Sequence, residues 1–386
     1  MSEPIRASEK ILCITNDFGP RAGGIETFII GLVERLPKGS VTVFTSTQEN
    51  SEPFDNAWRE NFGVEVIRDR SKILLPTLRV SRSVRSLVKE REIQSVFFGA
   101  AAPLGLLARS TRRAGAEKIV ALTHGHEVWW AKIWPFSWAI KRIGRDVDVL
   151  TYLGDYTRDA ISQALSKSSQ KKLVRLAPGI DTDHFSPSKK SPRIRKELGL
   201  EDKKIIVSVG RLVHRKGQDF LIDALPIISL EVPNVHLLLV GEGPYRAELH
   251  KRADSLGMQD RITFIGRVQY AELPEYICAG DIFAMPSRSR LAGLEVEGLG
   301  IVYLEASSCG LPVIGGVSGG APDAVLEGET GFSVDGKSAS AIAASAVHLL
   351  KYPDFAANLG TQGRQWIVDQ WRWEIWADLF KKLLLK

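Results

Sequence analysis

Short apolar runs alternate with amphipathic segments along the whole chain, the pattern of βαβ units and parallel sheets. In the first half the runs predict strands at Lys10–Thr15, Val41–Thr45, Val64–Ile67, Ser95–Phe98, Lys118–Thr123, Val147–Tyr152 and Lys172–Leu176. A second series follows at Lys204–Val209, Val235–Val240, Ile262–Ile265, Ile282–Met285, Pro312–Gly315 and Gly331–Val334. Between the two series lies Asp181–Lys203, rich in Pro, Ser and Lys and read as a hinge. The expected organisation is an α/β chain of two parallel-sheet domains, 1–183 and 204–365, joined by a hinge region at 184–203. Residues 366–386, with aromatic and aliphatic residues on most faces, predict a terminal helix that packs back on the N-terminal domain. Ligands of open parallel sheets bind beyond the carboxyl ends of the strands. Two such edges facing each other would form an interdomain cleft suited to two substrates.

A length of 386 residues exceeds what one core usually serves, and 44% apolar with 25% charged residues excludes wholesale disorder. The three cysteines, Cys13, Cys278 and Cys309, are widely spaced, which disfavours a zinc module or a disulfide-stapled domain and fits a reducing cytosol. The opening apolar run is too short for a signal peptide, and no stretch reaches the length of a membrane span. A cytoplasmic chain that meets membranes only at their surface is expected. The formal charge of +6 lies entirely in the first half, where residues 1–183 carry 27 Lys+Arg against 21 Asp+Glu.

Four windows carry candidate chemistry. In EGLGIVYLE, Glu297 and Glu305 are eight residues apart, the first at a loop tip and the second on the helix that follows. Two helical turns would turn both carboxylates to one side, where they can accept hydrogen bonds from sugar hydroxyls. In GRLVHRKG, Arg211 and Lys216 occupy a strand-to-helix connection, where cations and backbone N–H groups converge on phosphate. Gly23 and Gly24 follow the first strand and allow close approach of a ligand to the backbone. This loop matches neither a dinucleotide fingerprint nor a P-loop. In THGHEVWW, His124 and His126 alternate, so an extended chain would send them to opposite sides, against joint metal ligation.

Together these windows resemble the retaining, nucleotide-sugar-dependent glycosyltransferases of family 4, which have two Rossmann-like domains in the GT-B arrangement. Glu297 and Glu305 match the family's E-x7-E element, Arg211 and Lys216 its phosphate-binding pair, Gly23 and Gly24 its N-terminal loop, and His124 its cleft histidine. PGID at Pro178–Asp181, GEGP at Gly241–Pro244 and MPS at Met285–Ser287 extend the match over nearly the whole chain. SRSRLAGLEVEGLG is longer than the family's usual loop. Of Glu295 and Glu297, only the latter keeps the spacing. The resemblance implies that Arg211 and Lys216 hold the donor diphosphate, Glu305 the ribose, and Glu297 the sugar hydroxyls. It places His124 near the sugar's C6 hydroxyl and the base near Arg267 and Val268. It requires no cofactor or metal, so the D-x-D sequences at Asp146–Asp148 and Asp181–Asp183 are expected to be incidental.

The segment Arg68–Arg113 holds eleven Lys+Arg against three acids. On a helical wheel Arg79, Arg82, Arg85 and Lys89 form one face, opposite Val80, Val84, Leu87 and Val88. Such a face suits an anionic membrane surface. Trp129, Trp130, Trp134, Phe136 and Trp138, beside Lys132, Lys141 and Arg142, suit its interface. No recognition motif supports nucleic acid as the partner. THGHEVWW and the basic N-terminal domain look most like GDP-mannose-dependent mannosyltransferases of phosphatidylinositol mannoside synthesis, the α-1,6 second-step enzymes above all. That likeness implies GDP-mannose as donor, a lipid-linked inositol mannoside as acceptor, and a peripheral place on the inner face of the plasma membrane. A UDP- or ADP-sugar transferase with a soluble acceptor, a nucleotide-sugar 2-epimerase and a lipid-docking scaffold are the competing readings. Nothing in the sequence sets an oligomeric state.

Overall fold

The computed structural model describes residues 9–21 and 23–385; residues 1–8, 22 and 386 of the expected domain spans lie outside these. The chain divides into two compact units, Met1–Gly179 with Trp373–Lys386, and Ile180–Arg372.

The first unit is built on a parallel sheet of order β3-β2-β1-β4-β5-β6-β7. Its strands are β1 (Ile11–Thr15), β2 (Val41–Ser46), β3 (Glu65–Asp69), β4 (Ser95–Phe98), β5 (Lys118–Ala121), β6 (Val149–Tyr152) and β7 (Leu173–Arg175). The second unit's sheet has the order β10-β9-β8-β11-β12-β13. Here the strands are β8 (Lys204–Val209), β9 (Val235–Val240), β10 (Ile262–Gly266), β11 (Ile282–Met285), β12 (Val313–Gly316) and β13 (Gly331–Val334). Every predicted strand is present, with ends moved by at most two residues. The reason is burial on both faces: strands such as β1, β2, β9 and β11 are buried throughout, so they read as predominantly apolar or β-branched runs.

The helices used below are α1 (Gly24–Glu34), α2 (Leu78–Glu90), α3 (Ala108–Ala114), α4 (Glu127–Lys132), α5 (Phe136–Asp146), α6 (Lys167–Gln170), α7 (Arg193–Glu197), α8 (Gln218–Glu231), α9 (Leu273–Cys278), α10 (Ile301–Ser308), α11 (Pro353–Gln370) and α12 (Trp373–Leu384). Val80, Val84 and Val88 of α2, Ala108 of α3, and Ile140 and Ile143 of α5 share one buried cluster with Leu12, Val96 and Ile119 of the sheet. These three helices therefore form one layer on one face of the first sheet.

Strand order reverses between β1 and β4 in the first unit and between β8 and β11 in the second. The crevices beyond the carboxyl ends at those points are the binding positions of such sheets. Gly23 and Gly24 follow β1, and Arg211 and Lys216 follow β8.

Two expectations about organisation are corrected. Residues 184–203 form no separate hinge but pack into the second unit: Phe185 and Ile194 are buried, and Arg195 on α7 donates to Ala279 O at 2.9 Å and pairs with Asp281. The chain passes between the units at Gly179–Ile180 and Arg372–Trp373. The terminal segment is not one helix either. It breaks between α11 and α12, where Ile180 N–H donates to Trp371 O at 2.7 Å and Ile180 bridges Arg372. Beyond the break α12 joins the first unit, with Phe380 edge-on to Phe97 and Ser95 Oγ donating to Leu384 O at 2.7 Å.

Candidate functional site

In the second unit the connection from β8 to α8 is fixed from both sides. Gly217, which precedes α8, has φ +77°, and a Cβ there would lie 1.9 Å from Pro286 O. Only glycine fits, and this contact brings Lys216 against the segment leaving β11. Leu212 N–H donates to Glu242 O at 2.9 Å and Tyr245 N–H to Leu212 O at 3.2 Å, tying GRLV to GEGP. Behind them Arg288 makes a buried two-pronged pair with Asp219 at 2.6 and 2.7 Å, and Tyr245 donates its hydroxyl to Asp219 at 2.9 Å.

Glu297 is buried in the loop before α10, and its Oε2 accepts from Lys216 Nζ at 2.7 Å and from Arg215 at 2.5 Å. The GGVSGG loop holds its backbone. Gly320 N–H donates to Glu297 O at 2.8 Å, and at Gly319 (φ +56°) a Cβ would lie 2.3 Å from the same oxygen. Burial alone would push the Glu297 carboxyl up, but Lys216 and Arg215 beside it hold it below the ordinary range. Burial pulls the Lys216 ammonium down, against the attraction of Glu297. Glu305, half-buried on α10, is pushed up to about 7 by burial, with Lys216 opposing.

Glu297, Glu305 and Lys216 thus share one electrostatic site. Helical spacing is not what joins the two carboxylates, because α10 begins only at Ile301; both come to Lys216. Glu295 pairs instead with Arg290 at 3.0 Å in the longer loop. Arg211 is exposed, with no side-chain hydrogen bond or ion pair among the described residues. Arg267 is exposed and Val268 half-buried just beyond β10. Three residues were missed in the sequence. Arg215 adjoins Lys216 and was readable as a further cation of HRKG, whereas the Arg288–Asp219 pair joins positions with no local signal.

In the first unit Gly23 precedes α1 in extended backbone, and a Cβ there would lie 2.3 Å from Glu26 Oε2. Arg21 holds that carboxylate, donating from Nε at 2.7 Å. Around Gly24 a Cβ would meet nothing within 4 Å. His124 is buried beyond β5, with Nε2 2.7 Å from Gly99 O, which can only accept, so Nε2 carries the proton. Burial holds the ring's pKa down, and the neutral form leaves Nδ1 as an acceptor. His126 does not point away as expected. β5 ends at Ala121, the chain turns at Gly125, and the two rings stack at 6.0 Å. The buried Glu127 links them, accepting from His124 N–H at 2.7 Å and lying 3.2 Å from His126 Nε2.

The proposed membrane face is divided. Arg82, Arg85 and Lys89 are exposed on α2, but Arg79 makes a two-pronged pair with the buried Asp69 at 2.6 and 2.8 Å and meets Ser71 Oγ at 2.8 Å. Hydrogen bonding to Arg79 holds the Asp69 carboxyl far below its usual range. Arg79 is corrected to a fold residue. Three of the four D-x-D carboxylates have protein partners: Asp146 pairs with Arg145, Asp148 with Arg112, and Asp181 accepts from Asp183 N–H and His184 N–H. Among the described residues no group of three His, Cys, Asp or Glu is placed to hold a metal ion.

Two Rossmann-like parallel sheets, one with cations and paired carboxylates at its switch point, define a nucleotide-sugar transferase architecture of the GT-B type. The structure of Anabaena HepE in complex with UDP superposes with a TM-score of 0.80 at 20% identity, over 97% of this chain and 98% of that one. The chain belongs to glycosyltransferase family 4: the model described as "Glycosyltransferase Family 4" matches residues 22–184, and "Glycosyl transferases group 1" matches residues 190–366. It is 44% identical to a GDP-mannose-dependent alpha-(1-6)-phosphatidylinositol monomannoside mannosyltransferase of Mycolicibacterium smegmatis, over 97% of this chain and 98% of the relative. It is 40% identical to a GDP-mannose-dependent monoacylated alpha-(1-6)-phosphatidylinositol monomannoside mannosyltransferase of Corynebacterium glutamicum, over 98% of each.

Proposed function

We propose that this enzyme moves mannose from GDP-mannose, with retention, to the 6-position of a phosphatidylinositol mannoside at the inner face of the plasma membrane. The observation that carries the reading is the near full-length identity to relatives of that name. The second unit's chemistry supports it. Lys216, already positioned by Glu297, and the uncommitted Arg211 would take the donor diphosphate and offset charge on the leaving group. Glu297 would accept from sugar hydroxyls and Glu305 from the ribose. The base would rest near Arg267 and Val268. Gly23 and Gly24 would admit the donor close to the backbone, and neutral His124 would hydrogen-bond a sugar hydroxyl. With cations in those positions, a metal is not needed for the diphosphate.

No helix among the described residues is long and apolar enough to cross a membrane. The exposed cations Arg82, Arg85 and Lys89 favour a peripheral encounter with anionic lipid. The test is a thermal-shift panel of GDP-, UDP- and ADP-sugars with and without EDTA, followed by product analysis on the lipid acceptor. A ligand at a hundred times its Kd stabilises by about 2.7 kcal/mol. GDP-mannose is expected to raise the Tm, and EDTA to leave product formation intact. A response to UDP-sugars alone, or loss of product in EDTA restored by Mg²⁺, would overturn the corresponding part.

A further inference from the structure

A second cationic site lies on the first unit, away from the residues just described. Trp138, Lys141, Arg142 and Arg145 on α5, with Ser166 and Ser168 just before and within α6, line a cavity of about 310 Å³. That volume is at the lower end of small-molecule pockets, about 300–1,000 Å³, and exceeds what a single ion needs. Its position is opposite to a substrate crevice. Arg145 nears the end of α5, which leads into β6, and Ser166 and Ser168 precede β7. The cavity therefore reaches the side of the amino ends of these strands, whereas substrates of open parallel sheets meet the carboxyl ends.

The chemistry of the lining selects an anion. Three cations face a single acid, Asp146, and Arg145 already occupies it, with Nε at 2.8 Å and NH2 at 3.3 Å. Arg142 is set differently. Its guanidinium lies 5.4 Å from the Trp138 ring centroid, and its Nε–H is buried without a hydrogen-bond acceptor, 3.9 Å from Asp146 Oδ2. That Nε–H faces inward, and no hydrogen bond from the terminal N–H groups of the part-exposed Arg142 occurs among the described residues, so these remain for a phosphate oxygen in the fork geometry arginine favours. Ser166 and Ser168 add hydroxyls, 3.0 Å apart.

The exposed indoles say what carries that phosphate. Trp138, which lines the cavity, is 55% exposed, and Trp134, just before α5, is 81% exposed, unusual for so large an apolar side chain. Indole rings beside cations are at home at the lipid headgroup level. The helix layer that holds α5 also presents Arg82, Arg85 and Lys89 on α2 and Arg109 and Arg113 on α3, all exposed. We infer that the α5 cavity is a headgroup site for an anionic phospholipid that is not the substrate, with Trp134 and Trp138 entering the interface around it. The inference rests on the proposed function only in placing the enzyme at a membrane.

The test is co-flotation of the full chain with phosphatidylcholine vesicles, with and without phosphatidylglycerol. Arg142→Gln/Arg145→Gln is compared with Arg109→Gln/Arg113→Gln, which removes the same charge from the same layer. Two lost charge-assisted hydrogen bonds predict binding to the anionic vesicles at least about tenfold weaker in the first pair than in the second. Ser168→Asp, which keeps every cation but sets a carboxylate in the cavity, is expected to weaken binding in the same direction. Glycerol 3-phosphate is expected to compete with the vesicles for the parent but not for Arg142→Gln/Arg145→Gln. Equal weakening by the two double variants would reduce the face to diffuse surface charge and overturn the site. Binding of glycerol 3-phosphate or inorganic phosphate at the cavity, with vesicle binding indifferent to it, would overturn the lipid. Mannosyl transfer to detergent-dispersed acceptor is measured separately, so failure of the proposed activity and failure of the headgroup site give different results.

Discussion

Replacing Glu305 by Gln removes a carboxyl whose ionisation the fold opposes. Its ordinary value is 4.5, and burial on α10 moves it to about 7 despite the nearby Lys216. Between these values the folded chain holds a proton that the unfolded chain has released. Stability therefore falls as pH rises through that window and levels off above about 7. Below about 4.5 both states are protonated and the group contributes nothing to the slope. The full difference corresponds to about 3 kcal/mol at 25 °C. Gln keeps the shape and cannot ionise, so Glu305→Gln is expected to match the parent near pH 4.5 and to gain up to about 3 kcal/mol over it by about pH 8. Urea midpoints of parent and variant across that range measure the gap. The same ionisation governs the donor if Glu305 accepts from the ribose. GDP-mannose affinity of the parent should then fall by up to tenfold per pH unit below about 7 and stay flat in Glu305→Gln. Stability profiles that run parallel for the two proteins would refute the reasoning.

Arg79→Ala strands the buried Asp69, so a Tm lowered by about 3 °C or more is expected in a melting curve. Arg82→Gln/Arg85→Gln should leave Tm unchanged and weaken only flotation with anionic vesicles; the opposite partition would restore Arg79 to the membrane face. Gly217→Ala forces a Cβ onto Pro286 O at positive φ, and a loss of at least about 2 kcal/mol in urea unfolding is expected, together with a smaller thermal shift from GDP-mannose.

How much of this was legible in the sequence depends on whether a feature is local. The strands were readable because burial on both faces leaves largely apolar runs such as ILCIT and VHLLLV, the latter with the single polar His236. Glu297 was separable from Glu295 by spacing, and the structure sets Glu297 on Lys216 and Glu295 on Arg290. The break before Trp373 was not readable, since Trp371 and Arg372 are neither Gly nor Pro and the interruption comes from pairing with Ile180, far away in sequence. A helical wheel puts Arg79 with Arg82 and Arg85; only the fold reveals that Asp69 lies within its reach. The stacking of His124 on His126 depends on where β5 stops, and strand ends are poorly marked by composition.

The two buried ion pairs of the second unit separate scaffold from site. A buried pair is weak evidence for stability, because well-packed apolar residues often do as well, so what each pair leaves unsatisfied is the more informative feature. Arg288 and Asp219 saturate each other: both carboxylate oxygens accept from the guanidinium, and Tyr245 adds a third bond. That pair clamps α8 to the segment leaving β11 and offers nothing outward. Glu297 receives Lys216 and Arg215 on the same oxygen, Oε2, and no hydrogen bond to Oε1 occurs among the described residues. One oxygen fixes the carboxylate and holds it ionised, while the other keeps its lone pairs. Lys216 uses one of its three donors in the same contact, so fixing the carboxylate does not exhaust the cation. A pair built only to hold the fold would close both ends, as Arg288 and Asp219 do. Closing one end and leaving the other open is what the proposed roles, a carboxylate for sugar hydroxyls beside a lysine for phosphate, would require.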